Sequence, residues 1–147
     1  MNDKQIQRTL RKLKRFEDML DGMIFEKVCD LPVLAYETKE SLYEIPDASL
    51  YHPIKPGDVW GGESSYGWFK SNYVVPEEYA GKPLYLRPKM GGYEGMLWVD
   101  GKPFGTFATK IVVTGHGNHY CDMLMKSPKA GQNIQIDVEF YAGHYVM

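Results

Sequence analysis

The alternation of apolar and polar residues divides the chain into three segments with different predicted structures. In the first segment, apolar side chains recur every three or four positions, which is the spacing of one helix face: Ile6, Leu10, Leu13, Phe16, Leu20 and Ile24. Asn2 or Asp3 can cap the start of such a helix, and Gly22 can end it. We therefore predict an N-terminal amphipathic α-helix over residues 1–24.

The second segment, residues 25–58, shows no sustained period. It contains four prolines, each of which blocks a continuing helix: Pro32, Pro46, Pro53 and Pro56. Connections of this length without regular structure are unusual inside a compact domain. We therefore predict a proline-containing connection with short extended pieces, which runs over the surface of a neighbouring domain.

Residues 59–147 carry the pattern of β-strands. The clearest strand covers residues 133–141, in which apolar and polar residues alternate, and Asp100-Gly101 is a turn signal. The predicted strands are 67–75, 83–88, 93–99, 105–113, 119–124 and 133–141. Short strands with a turn about every ten residues predict a mainly β fold, an antiparallel jelly-roll or galactose-binding-like β-sandwich preceded by the one helix.

Composition and charge narrow the classes of partner. The net charge is -2, so no basic field attracts nucleic acid. The start lacks the apolar core of a signal peptide, and no apolar run approaches the ~20 residues that span a bilayer. Cys29 and Cys121 are too few for a disulfide framework. These features predict a reducing, cytoplasmic location without nucleic-acid or membrane partners.

Charge is split along the predicted helix, with bases first and acids later, against the preference of the helix dipole. A membrane-surface helix or a calmodulin-type target has such an order. The favoured interpretation is a helix docked on the rest of a larger protein, because its acidic second half repels anionic lipid. Since its apolar face is unpartnered in the isolated chain, we also predict self-association through the helix.

One stretch has metal-like composition, because His116, His119, Cys121 and Asp122 fall within seven residues. Zinc sites of this kind add a second, distant ligand pair, for which the remote candidates are His52, His144 and Cys29. The favoured alternative is a glycine-rich loop followed by a strand whose side chains fill the sandwich. We predict no metal ion and no cofactor in this chain.

Aromatic residues make up 14% of the chain, which suits either sugar binding or a β-sandwich core. The candidate sugar-contacting residues are Trp60, Tyr93, Glu94, His116 and His119. Trp60 is expected to be exposed because glycines follow it, whereas Trp68 and Trp98 are expected to pack in the core.

Five sequence segments follow one another along the chain: residues 66–70 (YGWFK), 73–76 (YVVP), 84–87 (LYLR), 93–103 (YEGMLWVDGKP) and the closing segment 134–145. This order, behind an amphipathic helix, resembles the N-terminal part of cytosolic-type and bacterial α-mannosidases of glycoside hydrolase family 38. The sugar-binding jelly-roll domains of β-galactosidase-like enzymes show a similar succession.

The resemblance implies a non-catalytic fragment. In that family the zinc-dependent retaining active site lies in a catalytic domain that follows this region, and the enzyme hydrolyses terminal α-mannosides. The expected partners are that catalytic domain and a second copy of the chain, and mannosides are candidate ligands. The alternative is an independent carbohydrate-binding module.

No catalytic residues are predicted in the chain itself. Retaining glycoside hydrolysis needs two carboxyl groups about 5 Å apart. The acidic candidates are Glu63, Glu94, Asp100, Asp122, Asp137 and Glu139. Asp100 is a turn residue, and Asp137 and Glu139 belong to the polar side of an alternating strand, which we expect to be solvated.

Overall fold

A computed structural model describes residues 2–108 and 122–143. It contains α1 (Asp3–Ile24), β1 (Val33–Thr38), β2 (His52–Ile54), β3 (Tyr66–Val74), β4 (Leu84–Leu86), β5 (Glu94–Val99), β6 (Lys102–Ala108), β7 (Asp122–Met125) and β8 (Asn133–Tyr141). The chain forms two compact units, Met1–Asp30 and Leu31–Met147. The prediction of a mainly β fold with one N-terminal helix is confirmed.

The first unit is built on α1, whose start is closed by a reciprocal capping box. The backbone N–H of Gln5 donates to Asn2 Oδ1 at 3.0 Å, and the N–H of Asn2 donates to Gln5 Oε1 at 2.9 Å. Lys14 forms exposed ion pairs with Glu17 and Asp18, and both partners raise its pKa, Asp18 more strongly. Among the described helices, none has the length and apolar character that a bilayer crossing requires.

The second unit contains two antiparallel sheets. The larger has six strands in the order β2-β1-β3-β8-β5-β6, and the smaller pairs β4 with β7. The nine-residue strands β3 and β8 lie at the centre and pair along their whole length, from Tyr66 opposite Tyr141 to Val74 opposite Asn133. The broad apolar face of these central strands has to be covered for the sheet to be stable, and the smaller sheet covers it.

One apolar cluster joins the two sheets. Leu84 of β4 and Leu124 of β7 pack with residues of the larger sheet, among them Phe69, Leu97 and Ile134. All are less than a tenth exposed. The cluster is therefore the interior of a β-sandwich, and its burial is the main source of the unit's stability.

The hairpin between β5 and β6 follows the turn signal in the sequence. Asp100 and Gly101 have φ values of 49° and 76°, as in the mirror-image turns that suit two-residue hairpins. The carboxylate of Asp100 accepts from the N–H of Gln135 at 2.9 Å, while its own N–H donates to the Gln135 carbonyl at 3.0 Å. The turn is thereby tied to β8, as its role as a turn residue requires.

The segment 25–58 contains short extended pieces as predicted, but these pieces, β1 and β2, are strands of the larger sheet. β1 pairs with β3, and Ala35 in its middle is 1% exposed. Pro53 lies in β2 at the edge of the sheet, where a missing N–H costs no ladder bond. The compact unit begins at Leu31, whereas the sequence pattern places the start of the β domain at residue 59.

Candidate functional site

The larger sheet has a second side, opposite the apolar core, that carries aromatic and charged residues. Since successive side chains of a strand point to opposite faces, the neighbours of the core residues Phe69 and Val138 lie on this side. We call it the aromatic face, defined by Tyr36, Tyr51, Tyr66, Trp68, Lys70, Trp98, Asp137, Glu139 and Tyr141.

Aromatic pairs cover much of this face. The rings of Trp68 and Trp98 lie 6.1 Å apart, and those of Tyr66 and Tyr141 lie 5.2 Å apart. Trp68 is fully buried (0% exposed). The indole Nε1 atoms of both tryptophans are buried without a hydrogen-bond partner in the part of the chain that the structure describes. Trp68 is therefore buried as expected, but both tryptophans lie on the side of the larger sheet opposite the apolar cluster, and Trp98 is only partly buried.

Lys70 and Asp137 form a buried ion pair at the centre of the aromatic face. Lys70 Nζ lies 3.4 Å from Asp137 Oδ1, a charge contact without hydrogen-bond geometry, and Asp137 is 0% exposed. Asp137 Oδ2 accepts from Gln135 Nε2 at 2.8 Å. Lys70 Nζ also lies 4.8 Å from the ring centroid of Tyr51, a cation–π distance. The prediction that Asp137 is solvated is therefore wrong.

Glu139 lies beside this pair, opposite Trp68 of β3 and Met96 of β5. Its Oε1 is buried with no hydrogen-bond partner among the described residues, and burial raises the pKa of this carboxyl. Burial likewise raises the pKa of the Tyr51 hydroxyl, with smaller contributions from the charge of Asp137 and from Tyr36. Glu139 was also expected on a solvated strand face. This prediction is wrong, because aromatic rings cover that side of the strand.

This arrangement is suited to holding charge inside the fold. Asp137 and Glu139 are two residues apart on one strand, so their Cα atoms are separated by about 7 Å. The side chain of Asp137 has no exposed surface through which a sugar could reach it. A buried carboxylate with two side-chain partners is a structural group, since the ion pair must offset its desolvation.

Trp60 is half-buried at the edge of the core, contrary to the expected exposure. Its Nε1 donates to the Met90 carbonyl at 2.5 Å, and its ring meets Phe69 edge-on at 5.0 Å. A Cβ atom at Gly67 would lie 2.6 Å from the Trp60 ring, so the glycine makes room for the indole. The indole packs within the unit and offers little free face for a sugar.

Tyr93 and Glu94 lie at the end of the aromatic face that carries Tyr66 and Tyr141. The N–H of Tyr93 donates to the Tyr141 carbonyl at 2.8 Å, and its ring packs on Gly143. Glu94 pairs with Tyr141 in the strand register and is exposed. These two candidate residues are neighbours in the sequence, and both lie next to Tyr141; 40% of Tyr93 remains exposed.

The other candidates cannot be placed in the site. His116, His119 and Cys121 lie outside the described residues, as does the side chain of Asp122. Over residues 2–108 and 122–143, no group of three or more His, Cys, Asp or Glu side chains is arranged to hold a metal ion. Cys29 is an exposed free thiol.

The buried pair of Lys70 and Asp137, with Tyr51 above it, was missed by sequence reasoning. One signal was available, namely the aromatic run at residues 66–69, which is apolar at consecutive positions. Consecutive apolar positions are typical of a strand that is covered on both faces. A strand of that kind implies that polar residues of its partner strand are covered too.

Comparisons with known proteins agree with this fold. A family model described as "Alpha-mannosidase, jelly roll domain" matches residues 29–145. Alpha-mannosidase 2C1 of Mus musculus is 31% identical over 85 residues, which are 57% of this chain and 8% of that protein. The Homo sapiens protein of the same name is 31% identical over 86 residues, with the same shares. The match therefore spans a small part of these relatives, but the family model covers nearly all of the sheet-bearing unit. The chain belongs to the family of α-mannosidase jelly-roll domains.

Proposed function

We propose that the chain is a non-catalytic jelly-roll domain of an α-mannosidase that hydrolyses terminal α-mannosides, and that it supports the catalytic domain by packing against it. The family match and the names of the two relatives support the parent activity. The zinc chemistry of such an enzyme would belong to its catalytic domain. The proposed location is the cytoplasm, because a chain with two cysteines and no disulfide framework is typical of a reducing compartment.

The burial and the bonding partners of the carboxyl groups support the non-catalytic part of this proposal. A retaining glycosidase needs two carboxyl groups that both reach the substrate, about 5 Å apart. Asp137 is enclosed and ion-paired, and the Asp100 carboxylate is bonded to the backbone of β8. These groups are committed to the fold, which favours a supporting role.

Exposed apolar side chains favour docking. Tyr43 is 89% exposed and Val59 is 93% exposed, and both belong to the stretches that flank β2. A neighbouring domain that covers such side chains removes apolar surface from water, which stabilises the contact. We propose that these two side chains contact the catalytic domain.

Two assays test the proposal. In the first, the purified chain is incubated with 4-methylumbelliferyl α-mannoside and added zinc, and we expect no turnover. In the second, the chain is added to the catalytic region of an α-mannosidase of this family that lacks its own jelly-roll domain, and we expect a higher melting temperature. The double variant Tyr43→Ser/Val59→Ser should lose this effect, whereas the control Val74→Ser should keep it. Turnover by the chain alone, or no stabilisation by it, would overturn the proposal.

A sugar titration separates this function from a carbohydrate-binding module. We expect the three tryptophan indole signals in two-dimensional amide NMR spectra to stay unchanged at millimolar methyl α-mannoside or mannobiose, because Trp60 and Trp68 pack within the unit. Saturable shifts of Tyr93 and Glu94 would instead assign sugar binding to that end of the aromatic face.

A further inference from the structure

The charges of α1 are arranged as two blocks of opposite sign. Residues 3–15 hold six basic residues and one acidic residue, which gives a net charge of +5, and residues 16–24 hold three acidic and no basic residues, which gives -3. Bases near the helix start and acids near its end are the reverse of what the helix dipole favours. This charge order therefore lowers the stability of the isolated helix. A favourable interaction with another molecule or domain would offset that loss.

Five apolar residues of α1 form one seam, which Phe16, Met19 and Met23 flank on one side. Ile6, Leu10, Leu13, Leu20 and Ile24 fall within about 40° of a common direction at 100° per residue. They have a heptad spacing of 4, 3, 7 and 4, in which Glu17 fills the one polar seam position. The seam residues are 37% to 66% exposed. A seam with this spacing fits another helix rather than a flat surface.

We propose that α1 pairs antiparallel with α1 of a second copy of the chain. The pairing register places Ile6 against Ile24 and Leu10 against Leu20 of the second copy, with Leu13 against Glu17 at the centre. In this register every apolar seam residue except Leu13 meets an apolar residue. The basic half of each helix lies along the acidic half of the other. The attraction between these halves offsets the unfavourable interaction of the charges with the dipole of their own helix.

A parallel pair is disfavoured by the same residues. It would place Glu17 directly against Glu17, two basic halves side by side and two acidic halves side by side. Like charges in such positions destabilise helix pairs, and a single polar seam residue commonly fixes orientation and register. A lipid surface is disfavoured too, because the acidic half of α1 would repel anionic headgroups.

Sedimentation of the full chain across a concentration series tests whether the pair forms. We expect a reversible monomer–dimer equilibrium in the micromolar range, since a contact along one helix is at the small end of stable interfaces. Leu13→Asp should weaken association at least tenfold. The matched control Arg15→Gln changes the net charge by the same amount on the opposite side of the helix, and it should weaken association less than threefold.

Cysteine cross-linking tests the orientation. In a Cys29→Ser/Cys121→Ser background, Ile6→Cys and Ile24→Cys chains are mixed and oxidised. The antiparallel pair predicts disulfides between the two different chains, because two copies of Ile6→Cys hold their thiols about 27 Å apart. Disulfides that join two Ile6→Cys chains would overturn the proposed orientation.

A chain that stays monomeric at all concentrations, or a Leu13→Asp variant that still dimerises, would overturn the proposal and leave the seam to another partner. Neither result bears on whether the domain supports an α-mannosidase.

Discussion

The carboxyl group of Glu139 is half-buried beside aromatic rings, and this burial raises its pKa from its ordinary value of 4.5. A raised carboxyl pKa means that the folded state disfavours the ionised form. The contribution of Glu139 to stability is therefore intact below its unfolded-state pKa and is lost as the pH rises through its folded-state pKa.

Glu139→Gln removes the charge and keeps the shape, so the variant should be more stable than the parent chain at neutral pH. The gain should vanish near about pH 3, where the carboxyl is protonated in both states. Urea unfolding at the two pH values measures the difference. Glu94→Gln, an exposed acid on the same face, is the control, and it should change stability little at either pH. An equal effect of Glu139→Gln at both pH values would contradict the account.

Lys70 neutralises a carboxylate that has no access to water. Lys70→Met would leave Asp137 buried without its opposite charge, and we expect a loss of about 3–5 kcal/mol in the free energy of unfolding. The double variant Lys70→Met/Asp137→Leu should recover much of that loss, because it removes both charges. Denaturant titration gives the values, with exposed Lys102→Met as a control that changes stability by less than about 0.5 kcal/mol. A loss that persists in the double variant would assign the effect to packing instead.

Strands β5 and β8 approach closely at Gly95. A Cβ atom there would lie 2.6 Å from the Phe140 ring and 2.9 Å from the Glu139 carbonyl oxygen. Because backbone cannot yield as a side chain does, Gly95→Ala should cost about 1–3 kcal/mol by overpacking. At Gly62 a Cβ atom meets only Ser65 Oγ, at 3.6 Å, so Gly62→Ala is the matched control and should be nearly neutral. Equal melting temperatures of the two variants would contradict the close approach.

The elements that sequence reasoning predicted well are those with one covered face or a defined turn. β8 was predicted with the bounds that the structure shows, because its apolar face is complete from Ile134 to Phe140. β6 begins at Lys102 instead of the predicted residue 105, since the two-residue turn at Asp100 lets pairing begin immediately.

The missed elements have apolar residues on both faces or are very short. In β1, Val33 and Ala35 face the core, whereas Leu34 and Tyr36 face the other side, so no alternation marks the strand. β2 has three residues and one is Pro53. For the same reason the sequence could show that Asp137 belongs to a polar strand side, but not that neighbouring side chains enclose it completely.

At the scale of the whole molecule, the division into two compact units predicts independent folding of the second unit. It begins at Leu31, and the family match begins at residue 29, so both place the jelly-roll fold after α1. The main-chain carbonyl of Pro32 accepts from Ser71 Oγ at 2.7 Å, which ties the start of this unit to β3. The ladder of the six-stranded sheet and its core cluster lie wholly beyond residue 30.

A chain that starts at Leu31 should therefore keep the sandwich. We expect cooperative thermal unfolding with a melting temperature within about 3 °C of that of the full chain at dilute concentration, a shift that corresponds to less than about 1 kcal/mol. The truncated chain should also lose the concentration dependence of its sedimentation, because the seam of α1 is gone. Amide hydrogen exchange in β3 and β8 is the sharper measurement, since these central strands should exchange only through global unfolding. Loss of their protection in the truncated chain would mean that the first thirty residues take part in the fold of the sandwich, and it would contradict the division into two units.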